Sequence, residues 1–438
     1  MEIDKTTLAD LLIVDNTDEF SIFCKINFAL TTRGKEQLKT NLLTPQINIA
    51  SIEHVQQTIL HIKSNIANWP TYISNGTLMV VERYYESQID ALPTKPTYLD
   101  GITYKILHTH DFLLVKYSVK YCYEFIKGMQ QLVVLFGNAN TATLLQIQIA
   151  EMQKILMNKH LKIIFSTQQF IEVSRVDMLA LAYFFRHHFK LQMYALLTIF
   201  GKLDAWYGMA VAVAKYNLAM PTFVKSDMPF LEAKGLYHLM LQQPVGYNVA
   251  LTQQANFLFL TGANMAGKST FIKACGTAVY LAHVGMGVPA QHMQLSFFDG
   301  IISNINVIDN IAKGESYFYN EVQRIKTTVQ KINNNKKWLV LIDELFKGTN
   351  VQDAMKCSTA VIEGLLKIKS STFILSTHLY EIGDAVKHYP NMVCNYFETA
   401  VIDEQLHFSY QLKNGISNDR LGYLILKREG VVALLNDL

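Results

Sequence analysis

The stretch that decides how this chain is read is Asn256-Phe257-Leu258-Phe259-Leu260-Thr261-Gly262-Ala263-Asn264-Met265-Ala266-Gly267-Lys268-Ser269-Thr270. Gly262 to Ser269 satisfies the pattern G-x-x-x-x-G-K-[ST], and Asn256 to Thr261 reads as a short buried strand. Phe271 to Val284 is largely apolar and reads as a helix, so the loop ends on a helix N-terminus, where main-chain N–H groups and the helix dipole favour an anion. Glycines let successive N–H groups curl round phosphate oxygens, Lys268 brings compact charge to the β- and γ-phosphates, and Ser269 offers a hydroxyl to Mg2+. An incidental glycine-rich turn would lack these flanks. The expected nucleotide-binding residues are Gly262, Ala263, Asn264, Met265, Ala266, Gly267, Lys268, Ser269 and Thr270, with ATP and Mg2+ as ligands.

Moving outward, Leu339-Val340-Leu341-Ile342 is an apolar strand that ends in Asp343-Glu344, 75 residues beyond Lys268. An Asp at a strand end can hold Mg2+ through water, and the adjacent Glu can take a proton from the attacking water. Thr372 to Leu375 is another strand core, closed by Ser376-Thr377-His378. That would set His378 at the C-terminal edge of an open sheet, where such sheets bind ligands, as a candidate sensor of the γ-phosphate. Each of the three strand cores is followed by helix-forming sequence, the signature of a parallel sheet.

Before this region the pattern changes. From Asp10 to about Ala219 the apolar period is helical, with Pro45, Pro70, Pro93 and Pro96 as punctuation. The stripes in Lys105 to Phe136 and Thr143 to Phe165 read as helix–helix core, and Ala180 to Ala219 as one further helix or two. His108 and His110, like His187 and His188, lack the i, i+3 or i, i+4 spacing of a ligand pair on a helix, so these histidines read as solvated or capping. Pro221 to Pro229 reads as a linker, with a boundary near residue 225. The expected architecture is a helical domain, 1–225, followed by an α/β phosphate-loop nucleoside-triphosphatase domain, 226–438.

Composition sets outer bounds. The 438 residues are half apolar, enough for two or three domains with sizeable cores. A net charge of +3 permits a nucleic-acid partner without arguing for one, and no dense Lys/Arg run stands between Pro45 and Leu203. Five dispersed cysteines without a C-x-x-C pair suggest neither a disulfide framework nor a zinc site, and fit a reducing compartment. Met1 to Asp10 carries three acidic residues, and no run approaches 18 apolar residues free of charge or His, so a cytoplasmic protein with no membrane partner is expected.

Between the carboxylate strand and the phosphate loop lies Asp309-Asn310-Ile311-Ala312-Lys313-Gly314-Glu315-Ser316-Tyr317-Phe318, by physics alone a helix cap. Taken with Thr261 to Thr270, Val288-Pro289-Ala290, Asp343-Glu344, Gly348-Thr349 and Thr377-His378, its order and spacing resemble the ATPase domain of the MutS mismatch-repair family. Gly34, Leu38, Leu42 and Pro45 are similar to the opening of that family's lever domain, Leu203-Asp204 through Pro221 to its closing helix, and Gly415 to Leu424 to the family's final helical segment.

The resemblance implies an ATPase that works as a homodimer, each nucleotide bound by one subunit and completed by the other, with Ser316 acting in trans. Catalysis would rest on Glu344, His378 and Ser316, and metal binding on Ser269 and Asp343. Gly348, Thr349 and Asn350 match a loop that contacts the partner subunit. It further implies association with DNA and with other repair proteins, in mismatch repair or DNA-structure sensing. The family's mismatch-reading domain, with its Phe-x-Glu wedge, and its connector find no counterpart, since lever-like sequence starts near residue 10. Ala266 and Ala263 stand where the family usually has Gly and Pro, and the adenine-stacking aromatic is replaced near Val245, with Tyr247 a substitute. The alternative is a nucleotide-switched dimerisation or scaffold module without DNA contact. A transporter ATPase would carry L-S-G-G-Q, which is absent.

Overall fold

The structure, a computed structural model, describes residues 1–14, 20–138, 141–306, 317–402, 405–417 and 431–436. It divides into two units, one of residues 1–25, 45–52 and 216–438 and one of residues 26–44 and 53–215. A single boundary near 225 was expected; instead the chain enters the helical unit twice, and the first 25 residues belong with the sheets.

In chain order the helices are α1 (Lys5–Asp10), α2 (Ile22–Ile26), α3 (Thr32–Leu43), α4 (Ile49–Lys63), α5 (Asn75–Glu86), α6 (Tyr98–Leu107), α7 (Thr109–Phe136) and α8 (Thr143–Leu156). There follow α9 (Lys162–Ser166), α10 (Arg175–His188), α11 (Lys190–Lys215), α12 (Lys268–Val284), α13 (Tyr317–Ile332), α14 (Val351–Leu365), α15 (Glu381–Val386) and α16 (Val431–Asn436). Four helices of the helical unit start on polar caps that satisfy otherwise unpaired N–H groups: Thr31 for α3, Ser74 with Thr77 for α5, Thr97 with Asp100 for α6 and Ser174 for α10. A buried polar join is made by Asp204 of α11, whose carboxylate accepts from the N–H groups of Leu30 and Thr31 and from the Thr31 hydroxyl. Gly34 is obligatory there, because a Cβ would lie 2.1 Å from an Asp204 carboxylate oxygen. The stretch from Ala180 is two helices, broken at Phe189. By length and apolarity α11 could cross a membrane, but 72% of its most apolar window is buried within the structure, as in a core helix.

The strands are β1 (Glu2–Ile3), β2 (Thr222–Val224), β3 (Leu231–Leu236), β4 (Tyr247–Leu251), β5 (Phe257–Thr261), β6 (His292–Ser296), β7 (Gly300–Asn304), β8 (Trp338–Asp343), β9 (Ser371–Ser376), β10 (Met392–Ile402) and β11 (Gln405–Asn414). The main sheet has the order β1-β7-β8-β9-β5-β10-β11, parallel except for β11, and a smaller sheet has the order β2-β6-β3-β4. The expected linker from Pro221 thus contains a strand, since the β-branched and aromatic run Thr222-Phe223-Val224 pairs with β6.

Every residue of β5, β7, β8 and β9 is buried, which explains the apolar runs of β5 and β8 and the apolar core of β9: helices cover both sheet faces. On one face Phe257, Phe259, Val340 and Leu375 join Ile332 of α13, Ile362 of α14 and Ile382 of α15 in one core. On the other, α12 approaches so closely that a Cβ on Gly276 would lie 2.5 Å from Leu341. The N-terminal segment locks the far edge. β1 pairs with β7, Thr7 Oγ1 accepts from Ser303 N, and the buried Asp10 carboxylate accepts from Ser303 Oγ, Ile305 N and Asn306 N. Arg324 of α13 ties this edge to Asp4.

Candidate nucleotide-binding site

β5 ends at Thr261, and the turn that follows needs backbone conformations few residues adopt. Gly262 has φ 140° and Gly267 φ 109°, both in the region glycine tolerates without a Cβ penalty. Met265 enters the left-handed region at φ 69° and carries an exposed side chain. A Cβ on Gly262 would press on the Phe397 backbone, 3.2 Å from its carbonyl oxygen. Gly267 then starts α12, whose first-turn N–H groups face the loop without a side-chain cap. Lys268 is 5% exposed and folds back on its own loop, its Nζ donating to the carbonyls of Gly262 at 2.8 Å and Ala263 at 3.0 Å. Burial lowers its pKa, against the pull of Glu344 and Asp343.

β9 lies between β8 and β5, so the C-terminal ends of all three meet. Ser376 pairs with Asp343 on one side and with Leu260 on the other. The Ser376 hydroxyl donates to the Asp343 carboxylate. The chain then reverses: Glu344 has φ 58° and its N–H donates to the Ser376 carbonyl at 2.9 Å. The Glu344 carboxylate faces His378 Nδ1 at 3.8 Å and Lys347 Nζ at 3.2 Å. First His378 and then Lys347 hold its pKa down at about 2, against the opposing effect of burial.

A cavity of about 630 Å3 opens over this edge, lined among others by Met265, Lys268, Ser269, Glu344, Tyr247 and Tyr410. Lys268, Ser269 and Glu344 therefore share one space, with Asp343 and His378 joined to it through Ser376 and Glu344. Tyr247, the expected base-stacking substitute, is 4% exposed, and its ring is boxed edge-to-face by Phe271 and Phe397. The open aromatic is Tyr410 of β11, 42% exposed, which sequence reasoning missed because one aromatic in a strand has no distinguishing spacing. Glu321 of α13 was also missed. Its buried carboxylate accepts from the N–H groups of Lys347 and Gly348, so α13 holds the turn that follows Glu344.

Ser316, like Gly314 and Glu315, lies outside the described residues, as do Asn418 to Leu424 of the C-terminal match. Asn350 caps α14 by accepting from Asp353 N. Away from the site, His108 pairs with Asp90 at 2.9 Å and stands near Asp111, with ligand atoms of the three within 4.8 Å of one another.

Residues 258–433 match the family described as MutS domain V. The DNA mismatch repair protein MutS of Thermotoga maritima is 30% identical over 235 residues, which is 53% of this chain and 29% of that protein. The protein of the same name from Petrotoga mobilis is 28% identical over 52% of this chain and 28% of its own length. MutS protein homolog 4 of Homo sapiens is 30% identical over 52% of this chain and 25% of its own length. The chain thus spans less than a third of the length of the curated relatives it matches. The family match opens inside β5 and takes in the loop, both carboxylates, His378 and Tyr410, and over this stretch the chain is similar to the MutS family.

Proposed function

We propose that the chain binds ATP with Mg2+ at Gly262 to Thr270 through an ABC-type phosphate-loop fold and hydrolyses it. It works as a dimer in which the Ser316 loop of one copy completes the site of the other, in a DNA-associated role in mismatch repair or DNA-structure sensing. The observation that carries this reading is the convergence of Lys268, Ser269 and Glu344 on one cavity at the carboxyl ends of parallel strands. The names of the relatives support the DNA-associated role.

The residues present fit the ligands. A cavity of about 630 Å3 is in the size class of small-molecule sites. The donors of Lys268, satisfied by its own loop carbonyls, are those that phosphate oxygens would receive as stronger, charge-assisted bonds. Asp343 and Ser269 supply the hard oxygen ligands that Mg2+ prefers. When bound, the ion neutralises charge on the β- and γ-phosphates. Glu344 is ionised at neutral pH, so it can accept the proton of the attacking water, while Tyr410 offers its open ring face to the base.

One observation favours a second reading. A carboxylate held at about 2 is a weak base while it is paired with Lys347, and a nucleotide-switched dimerisation module with slow turnover would use such a restrained site.

Mixing two inactive chains tests the dimeric site. Ser316→Tyr keeps a good phosphate loop and Lys268→Ala keeps a good Ser316 loop, so the mixed dimer contains one complete site. Hydrolysis should partly return on mixing. Heterodimers without restored hydrolysis, or hydrolysis by a monomer, would overturn the trans arrangement and return the loop to a helix cap.

A further inference from the structure

A groove of about 1040 Å3 runs through the helical unit between α6, α7 and the start of α10. Five cations line it, Lys105, Lys116, Lys120, Lys127 and Arg175, against one carboxylate, Glu124. That excess of four exceeds the +3 of the whole chain, so the groove concentrates positive charge that is balanced elsewhere. No run of basic residues announces it. Lys116, Lys120 and Lys127 lie at helical spacing along α7, a stripe of roughly 16 Å at 1.5 Å rise per residue, and the fold brings Lys105 and Arg175 alongside. Glu124 stands 3.6 Å from Lys120, a surface pair that does little to offset the rest.

Between the cations the lining is mixed, with Gln131, Gln168 and Gln169 beside an apolar strip. Phe112, Tyr123 and Met178 are buried in its floor, while Leu113 is 59% exposed and Ile171 87% exposed. Cationic rim and apolar floor together ask for a ligand with one acidic and one apolar face. We propose that this groove docks an acidic amphipathic helix of a partner protein, its apolar face against Leu113 and Ile171 and its carboxylates on Lys116, Lys120, Lys127 and Arg175.

Nucleic acid fits the charge but not the floor. Single strands bind by laying successive bases on open aromatic faces, yet of the aromatics lining this groove Tyr72 alone is exposed, at 48%, and one face does not make a row: Tyr123 is 2% exposed, packed edge-to-face with Phe170 and hydrogen-bonded at its hydroxyl to Thr167, and Phe112 is 5% exposed. Duplex binding is carried by the phosphate backbone, which has nothing to cover Leu113 and Ile171.

The test uses the full chain and fluorescence anisotropy with a labelled helical peptide of about 20 residues, leucine on one face and glutamate on the other. Its controls are a peptide of the same composition with the leucines scattered, and an oligothymidylate. The amphipathic peptide should bind, weaken as salt rises, and lose about tenfold or more in affinity with Lys116→Glu/Lys120→Glu/Lys127→Glu and with the scattered control. Leu113→Ser/Ile171→Ser, at exposed positions where the fold is least disturbed, should weaken it several-fold with its salt dependence unchanged. The proposal fails if the oligothymidylate binds more tightly and displaces the peptide, if the scattered peptide binds equally, or if neither set of substitutions matters in chains whose circular dichroism is native.

Discussion

The Ser376 hydroxyl donates to the carboxylate of Asp343, the residue opposite it in register across β9 and β8. Both side chains are buried, so one oxygen of Asp343 is fixed by its neighbour, and under the proposed function the other would meet a hydrated cation. Ser376→Ala should therefore raise the Mg2+ concentration needed for half-maximal ATP hydrolysis by about tenfold, the usual effect of removing a group that orients a metal ligand. A Mg2+ titration of turnover measures it. An unchanged titration would mean that Asp343 does not serve the metal.

His283 gives a pH dependence of known sign. Its Nε2 accepts from Phe298 N at 2.9 Å and its Nδ1 faces the Val279 carbonyl at 2.8 Å, so the buried ring is neutral with its proton on Nδ1. Burial lowers the pKa from 6.5 to about 4. The unfolded chain takes up the proton first as pH falls. Stability fully present above pH 6.5 is therefore lost between 6.5 and 4, by roughly 3–4 kcal/mol at about 1.4 per unit. His238, also lowered to about 4 by burial and then by Lys273, adds a loss of the same sign. His283→Gln keeps a donor and an acceptor but no titration. Its urea midpoint should be lower than wild type at neutral pH and fall less steeply below pH 6.5.

In the helical unit, Asp204 and Gly34 should behave as a coupled pair. Asp204→Ala strands the N–H groups of Leu30 and Thr31 and should cost about 2–4 kcal/mol. Gly34→Ala drives a methyl into the same carboxylate and should cost a similar amount. Combined, the two should cost clearly less than their sum, because removing the carboxylate makes room for the methyl. Denaturant melts of the four proteins give the coupling, and strict additivity would show that the two residues do not meet.

The parts of this structure legible in the sequence are those where chemistry or burial dictates spelling. β5, β8 and β9 are buried on both faces and so read as apolar runs, and the glycines of the loop are demanded by φ angles that no other residue adopts cheaply. What stayed hidden depends on contacts between distant segments. Asp10 looks like any surface carboxylate until it is seen capping Ser303, Ile305 and Asn306 nearly 300 residues away. Tyr410 reaches the cavity only because β11 folds back on β10, and Lys105, Lys116 and Arg175 form one groove only after α6, α7 and α10 pack.

Lys268 and Glu344 separate binding from turnover, and measuring both in parallel addresses the central claim. Lys268→Ala deletes a charge-assisted phosphate contact of about 1.5–3 kcal/mol and should weaken ATP affinity by at least tenfold, abolishing hydrolysis with it. Glu344→Gln leaves the loop intact, so ATP should still bind near wild-type strength while turnover falls by about 10²–10⁴-fold. Equilibrium ATP binding and phosphate release, followed side by side in these two variants and the wild type, should show that split. Unaltered ATP affinity in Lys268→Ala, or near-normal hydrolysis in Glu344→Gln, would contradict the assignment of this cavity as the site of ATP hydrolysis.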